Sequence, residues 1–409
     1  MKKIILFLLV SNFMLGQNNS PIRSGSPNVY IDCGFCDLNY FKEQISAVNI
    51  VRDRKESDIH ILFSRQMTGS SGVEYTLFFI GLENYSGMND TIKFTTNQTD
   101  TEDLIREKTA RYIKMGLVRY IAKSEAADRI NITFAKPQVE AVPAKDDWNY
   151  WYFRASVHSF FNGQKSNDFI NLNSSISANR VTDDSKINFQ ISNSYNESNF
   201  SFGSTKIKSI SRSQNFRSYY IWAIDNHWSG GIWARAFRST YSNIDYSLSM
   251  SPGIEFNVFP YSMSNQKQFR FEYRIEPNLN KYAKETIFLK KKELLWNQAL
   301  EMTYSVIEPW GNIDVNVEGA NYLHDFNKYQ IEFWSNVSVN LVKGLSLNFQ
   351  GGYSKILNQI ALPRGGASLE EVLLQRRELE TQYSYWGNIG VSYSFGSVYN
   401  NIVNSRFGN

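Results

Sequence analysis

Three groups of residues carry most of the chemistry that this sequence could perform. The first is Cys33-Gly34-Phe35-Cys36, which holds both of the chain's 2 cysteines. A CxxC placed after a strand and at a helix start is where the helix field can stabilise a thiolate. Val29, Ile31 and Cys33 alternate as a strand before it, and Asp37 precedes Leu38, Phe41 and Ile45, which share one side of a short helix. The surrounding order is not that of a thioredoxin, so an exported chain with one cysteine pair most simply forms one structural disulfide, Cys33 to Cys36. Redox work and metal binding are the other chemistries open to the pair, although a structural zinc wants four ligands and the nearest histidine, His60, does not complete a set.

The second group is Arg270, Glu272, Arg274 and Glu276, which alternate with Phe269, Phe271, Tyr273 and Ile275. Period two places the four charges on one face of a strand and the apolar residues on the other. Glu332 holds the same place between Ile331 and Phe333. Opposite charges on one face can pair across neighbouring strands, as an enclosed polar lumen prefers. The third group is the dense run Arg52, Asp53, Arg54, Lys55 and Glu56, just before a strand. It reads either as an exposed connection or as a contact to barrel turns or to a periplasmic partner.

Nucleophilic catalysis finds little support. The histidines are His60, His158, His227 and His324. Ser156 and Ser159 lie near His158 in sequence, yet a serine–histidine mechanism needs a third group orienting the base. The acidic pairs Asp183/Asp184 and Glu370/Glu371 lie in predicted loops, where calcium binding would be nonspecific. No phosphate-binding glycine loop or dinucleotide fingerprint appears, so no cofactor, metal site or catalytic residue is assigned and the chain does not read as an enzyme.

The elements that must position these residues fall into two parts. From Tyr150 to Phe395 the chain is a series of alternating stretches, clearest at the end, where Tyr383, Tyr385, Ile389, Val391, Tyr393 and Phe395 take one face and Ser384, Asn388, Ser392 and Ser394 the other. Strand cores are expected at 149–161, 167–180, 185–198, 206–224, 229–240, 243–256, 265–277, 293–307, 311–322, 328–341, 344–357 and 379–396, about twelve in all and hence even, as a single-chain bacterial barrel requires. The joints at 182–185, 225–228, 309–311 and 342–344 are short and fall on one side. The longest, 279–293 and 355–379, fall on the other, which is the asymmetry of periplasmic turns and extracellular loops. Within the last loop, Leu369, Val372, Leu373 and Leu374 among charges suggest a short amphipathic helix at the mouth or folded into it.

Before the barrel, residues 28–135 read as a small α+β domain. Strands are expected near Val29–Cys33, Ile59–Phe63, Tyr75–Ile80 and Thr91–Thr96, with Gly69 to Gly72 as a hairpin tip. A longer helix is capped by Asp100 or Thr101, with Leu104, Tyr112, Met115 and Val118 or Arg119 marking its apolar side and Ile105, Ile113, Leu117 and Ile121 widening it. A polar lead 17–27, a linker 136–147 with Pro137 and Pro143, and a tail 397–409 complete the plan. The first residues, 1–17, with Lys2 and Lys3 before the apolar run Ile4 to Val10, read as an export signal.

Composition agrees with this plan. Aromatics reach 15%, with 24 Tyr, 28 Phe and 9 Trp, an excess that favours sheet and can furnish the girdles of a barrel. No apolar run of about 18 residues follows the N-terminus, which excludes a helical membrane protein. A net charge of +4 with both signs interspersed marks no nucleic-acid surface.

Cys33-Gly34-Phe35-Cys36-Asp37, Val51-Arg52-Asp53-Arg54, Glu74-Tyr75-Thr76-Leu77 with Phe79-Ile80-Gly81, and Tyr393-Ser394-Phe395-Gly396-Ser397 with Asn401-Ile402-Val403-Asn404 carry a resemblance. Over nearly its full length the chain resembles a Bacteroidota-type outer-membrane β-barrel protein family with an N-terminal periplasmic α+β domain. The resemblance implies outer-membrane lipid as a partner and a location, without a mechanism. The small domain is also loosely similar to α+β domains of envelope proteins such as the curli secretion channel, an analogy of fold alone. The expected molecule is a transmembrane antiparallel β-barrel of about twelve strands (148–396). It would act as a small-solute channel, or as a membrane-anchored scaffold for a periplasmic or outer-membrane protein partner.

Overall fold

The computed structural model describes residues 23–133, 146–202, 205–365, 378–397 and 406. The expected export signal, all of the linker but Asp146 and Asp147, the loop helix drawn from Leu369 onward and nearly all of the tail lie outside the described residues.

The small domain is built on five strands: β1 (Asn28–Asp32), β2 (Asn49–Ile50), β3 (Ile59–Met67), β4 (Val73–Gly81) and β5 (Asp90–Thr96). Their order is β2-β1-β3-β4-β5, with β1 parallel to both β2 and β3 and the other pairs antiparallel. The two-residue β2 has no period to reveal it in the sequence. Helices α1 (Leu38–Gln44) and α2 (Glu102–Ile121) join this sheet around one core with Val29, Ile61, Leu77, Phe79, Ile113 and Leu117. Each such fully buried side chain contributes on the order of 2 kcal/mol. Asp37 caps α1 by accepting from Tyr40 N, and Thr101 caps α2 by accepting from Leu104 N.

The packed face of α2 differs from the expected one. Thr109, Ala110, Ile113, Gly116, Leu117, Tyr120 and Ile121 are buried, whereas Leu104 and Met115 are exposed. The stripe is rotated because Gly116 lies under the Phe79 ring, where a Cβ would stand 2.1 Å from a ring carbon. The missing side chain lets the helix approach there, and apolar size alone does not signal it. The end of the polar lead is tied to the small domain: Arg23 to Asn49, Ile45 and Val48, and Ser26 to Arg129.

Residues from Trp151 onward form β6 (Trp151–Gln164), β7 (Asn167–Val181), β8 (Ser185–Phe202), β9 (Thr205–Ala223), β10 (Trp228–Ser239), β11 (Ile244–Asn257), β12 (Lys267–Tyr282), β13 (Lys292–Glu308), β14 (Gly311–Tyr322), β15 (Asp325–Val342), β16 (Leu345–Ile356) and β17 (Tyr383–Tyr393). They make one 12-stranded sheet in chain order, every neighbouring pair antiparallel. Each expected core corresponds to one strand, with ends shifted by a few residues.

Register shows how the two faces separate. One row runs Trp228, Phe256, Phe271, Met302, Val317, Phe333, Tyr353 and Tyr385 across β10 to β17. The adjacent row, one residue along each strand, runs Glu255, Glu272, Glu301, Glu318, Glu332, Ser354 and Ser384. Because successive side chains point to opposite faces, the aromatic row and the glutamate row lie on opposite sides of the sheet.

The sheet is curved. Asn243 Nδ2, just before β11, donates to Ala361 O, only five residues beyond the end of β16. Five residues reach about 17 Å at most, while five strand steps in a flat sheet would need about 24 Å. Both outer strands also touch the small domain, Tyr152 of β6 through Gln98 and the chain just after β17 through Arg52. Laid flat, the edges would stand about 53 Å apart, beyond a domain of roughly 13 Å radius of gyration. No ladder joins β6 to β17 among the described residues, so the sheet curls without being closed by hydrogen bonds along that edge.

Candidate functional site

The glutamate row is the most charged feature of the polar face. Glu255, Glu272, Glu301, Glu318 and Glu332 stand directly opposite one another on five neighbouring strands. Like charges so placed repel, and two arginines one rung away on β12 offset them. Arg274 reaches Glu272 at 3.0 Å, Glu318 at 3.5 Å and Glu301 at 3.6 Å. Arg270 Nη2 lies 3.2 Å from Glu301 Oε1. Its Nε stands 3.6 Å from Glu255, close enough for attraction and too far for a hydrogen bond.

Neutral groups complete the network. Asn316 donates to Glu301 at 2.8 Å, and Thr303 bridges Arg270 and Glu301. Tyr261, on the turn between β11 and β12, donates to Glu255 at 2.8 Å and accepts from Ser229. Burial first, and the Glu255 carboxylate beside it, hold the Tyr261 hydroxyl above the usual phenol range. Of the charges singled out in the sequence, Arg270, Glu272 and Arg274 belong to this network. Glu276 accepts from Ser251 at 3.1 Å, and Glu332 ends the row exposed, with Gln330 donating to it.

The run from Arg52 to Glu56 sits where the small domain meets the short-turn rim. Arg52 donates to Phe395 O at 3.0 Å and Gly396 O at 3.3 Å. Asp53 accepts from Gly344 N at 2.6 Å and also from Lys55 N, so one carboxylate holds both its own turn and the β15–β16 turn. Gly344 has φ 72° and an added Cβ would stand 2.1 Å from Ser394 O, so the turn needs glycine. Glu56 pairs with Lys343. Arg54 and Lys55 line the cleft beside these contacts with Tyr30 and Val342. Burial, then the neighbouring Asp32 and Asp53 carboxylates, push the Tyr30 hydroxyl up to about 12.

Further contacts show which side of the domain faces the rim. Ser64 and Thr76, opposite each other on β3 and β4, both hold Asn265 of the β11–β12 turn. These side chains alternate with core residues such as Phe63 and Leu77. The side of the small sheet away from its core therefore meets the rim, and the core side carries α2. The bonded pair Cys33–Cys36, with Cα atoms 5.5 Å apart, lies at the start of α1 beside Phe35, over whose ring Arg65 rests at 4.5 Å.

At the opposite rim the residues after β16 fold back over the polar face. Ile360 and Leu362 are buried, as are Tyr282 and Leu295 of β12 and β13. Ile287 N donates to Leu362 O, and Arg364 pairs with Glu285 at 3.0 Å. Asn243 clamps both outer loops, donating to Lys284 O and Ala361 O. The histidines do not meet. His60 is buried in the small domain 3.1 Å from Asp32, His158 is exposed on β6, and His227 and His324 lie in turns at opposite rims. Ser156 pairs with Ser175 rather than with a histidine.

Glu255, Glu301 and Glu318 complete the row and are absent from the sequence-based candidates. Alternation gives a residue's face, whereas joining residues across strands needs the register that each turn fixes. The chain matches no family model and no curated protein.

Proposed function

We propose that the curved sheet closes β6 against β17 into a transmembrane barrel of the outer membrane, whose polar face lines a lumen for small solutes. The small domain would then be a periplasmic accessory seated on the inner rim. The observation that carries this reading is the pair of adjacent rows: exposed or half-buried aromatic and aliphatic side chains on one face, a salt-bridged glutamate row on the other. In water the first face would be a large exposed apolar surface, whereas in a bilayer it meets lipid.

Strand tilt supports the same reading. The polar row from Arg154 passes through Ser177, Gln190, Arg217, Arg235 and Ser249 to Asn278. Arg154 lies near the start of β6 and Asn278 far along β12. With the short-turn rim level, the row climbs about eight residues over six strand steps, a tilt of roughly 40°. That is the tilt of membrane barrels. Strands of 11 to 19 residues meet or exceed the length a tilted crossing needs, about 9–11 residues.

A second reading, a membrane-anchored scaffold for an envelope or secretion partner, draws support from occlusion. The ion-pair network fills part of the polar face, the small domain covers the inner rim, and residues 357–365 cross the outer one. Planar-bilayer recordings on the refolded full chain and on R52A/D53A separate the two. Conductance steps, more frequent when the rim contacts are weakened, are the expected result. Silence from both proteins, each folded as a heat-modifiable band, would leave the scaffold.

A further inference from the structure

The polar face divides into an acidic and a basic half. Across β6 to β10 one row carries Arg154, Ser177, Gln190, Arg217 and Arg235, and its charged members are all cationic. Arg217 and Arg235 stand directly opposite each other on neighbouring strands. Arg235 Nε donates to Asn215 Oδ1 at 3.2 Å and its guanidinium rests on Phe237, both neutral partners, while Glu276, which acts on it electrostatically, makes no ion pair with it among the described residues. Glu255, Glu272, Glu301 and Glu318 lie within ion-pair distance of Arg270 or Arg274, and no glutamate forms an ion pair with Arg154, Arg217 or Arg235 among the described residues. All three of these arginines are exposed.

Two opposed guanidiniums with no carboxylate in ion-pair contact are an unfavourable pair in a folded sheet. An anion that accepts from both removes the repulsion, and the guanidinium fork matches carboxylate or phosphate oxygens two at a time. We propose that Arg217 and Arg235 form a binding site for the carboxylate or phosphate group of a small anionic solute. Arg154, three strand steps away at about 14 Å, lies too far to share the same group and is the next cation along the row. The proposal rests on reading this face as a lumen, because only an enclosed face would meet such solutes one at a time.

The test is equilibrium dialysis of labelled inorganic phosphate and labelled succinate against the refolded full-length protein, at low salt and in 0.5 M KCl. Saturable binding of at least one probe is expected, weakened by salt and at least tenfold weaker in R217Q/R235Q and in the single variant R217Q. K208Q should bind as the parent does, since Lys208 pairs with Glu197 away from this row. The preferred probe identifies the group. Absence of saturable binding to the folded parent, or equal binding by the double variant, overturns the site. Bilayer recordings on the same samples separate the two claims: binding without current keeps the site and sinks the channel, and current without binding does the reverse.

Discussion

Arg274 is the residue on which the charged face depends most. Its guanidinium meets three carboxylates, Glu272, Glu301 and Glu318, at 3.0 to 3.6 Å, and the Glu272 side chain is only 11% exposed. At an effective dielectric near 20, a unit pair at 4 Å is worth about 4 kcal/mol before desolvation. Replacing Arg274 by Gln leaves those carboxylates facing one another with Arg270 alone to offset them. Breaking a buried pair costs about 3–5 kcal/mol, and partial exposure puts this case at the low end, near 3 kcal/mol. Urea unfolding of the refolded protein in vesicles, followed by tryptophan fluorescence, reads this directly. At pH 7.5 the R274Q midpoint should drop accordingly. Adding E301Q to R274Q should recover about 1–2 kcal/mol at pH 7.5 by removing the central carboxylate. A variant within about 0.5 kcal/mol of the parent, or no recovery on adding E301Q, would contradict this role of Arg274.

Three further outcomes concern the small domain. Gly116→Ala should destabilise it by about 1–3 kcal/mol through collision with Phe79, overriding the gain of about 1 kcal/mol that alanine brings to a helix; a stabilised variant in thermal unfolding would contradict the packing. Tyr30 has its hydroxyl pushed up to about 12, so the unfolded chain ionises first as pH rises. Its contribution is therefore whole below about pH 10, falls by on the order of 2 kcal/mol between pH 10 and 12, and should vanish from the pH profile of Tyr30→Phe. Replacing Cys33 and Cys36 by serine should cost about 2 kcal/mol in domain stability, given the short loop they close, with far-ultraviolet dichroism of the sheet unchanged; a cost near zero would make the bond dispensable to the fold.

Much of the architecture was legible because alternation is a local property. The pattern of Phe269 to Glu276 and that of Tyr383 to Phe395 each fix a strand and its two faces without any partner. Twelve cores could be placed in this way, and the short joints at 182–185 and 342–344 gave the side that meets the small domain. What stayed hidden depends on juxtaposition. The glutamate row exists because β12, β13 and β14 align Glu272, Glu301 and Glu318, and a shift by one residue would turn each glutamate to the other face. The packing of α2 turned on Gly116, which has no side chain to announce it. The fold-back of 357–365 rests on contacts with the β12–β13 loop and on one hydrogen bond from Asn243, whose short polar side chain also serves in any turn. The contacts of Arg52 and Asp53 needed the backbone of Phe395 and Gly344, more than 290 residues away in the chain.

Closure of the sheet is the claim on which both the lumen and its anion site depend. Val157 of β6 and Gly387, Ile389 and Val391 of β17 lie on the aromatic face, as their strand partners show. Directly opposed residues in an antiparallel pair place their Cα atoms about 4.5–5.5 Å apart, within disulfide reach. Val157→Cys should be combined with cysteine at each β17 position in turn in the refolded, bilayer-inserted protein and then oxidised. The pair Phe349→Cys and Ile389→Cys, opposed on β16 and β17, serves as the reference. In a closed barrel one β6–β17 pair cross-links within a single chain about as readily as the reference. Efficient cross-linking of the reference with none of the β6–β17 pairs would contradict it and leave an open sheet.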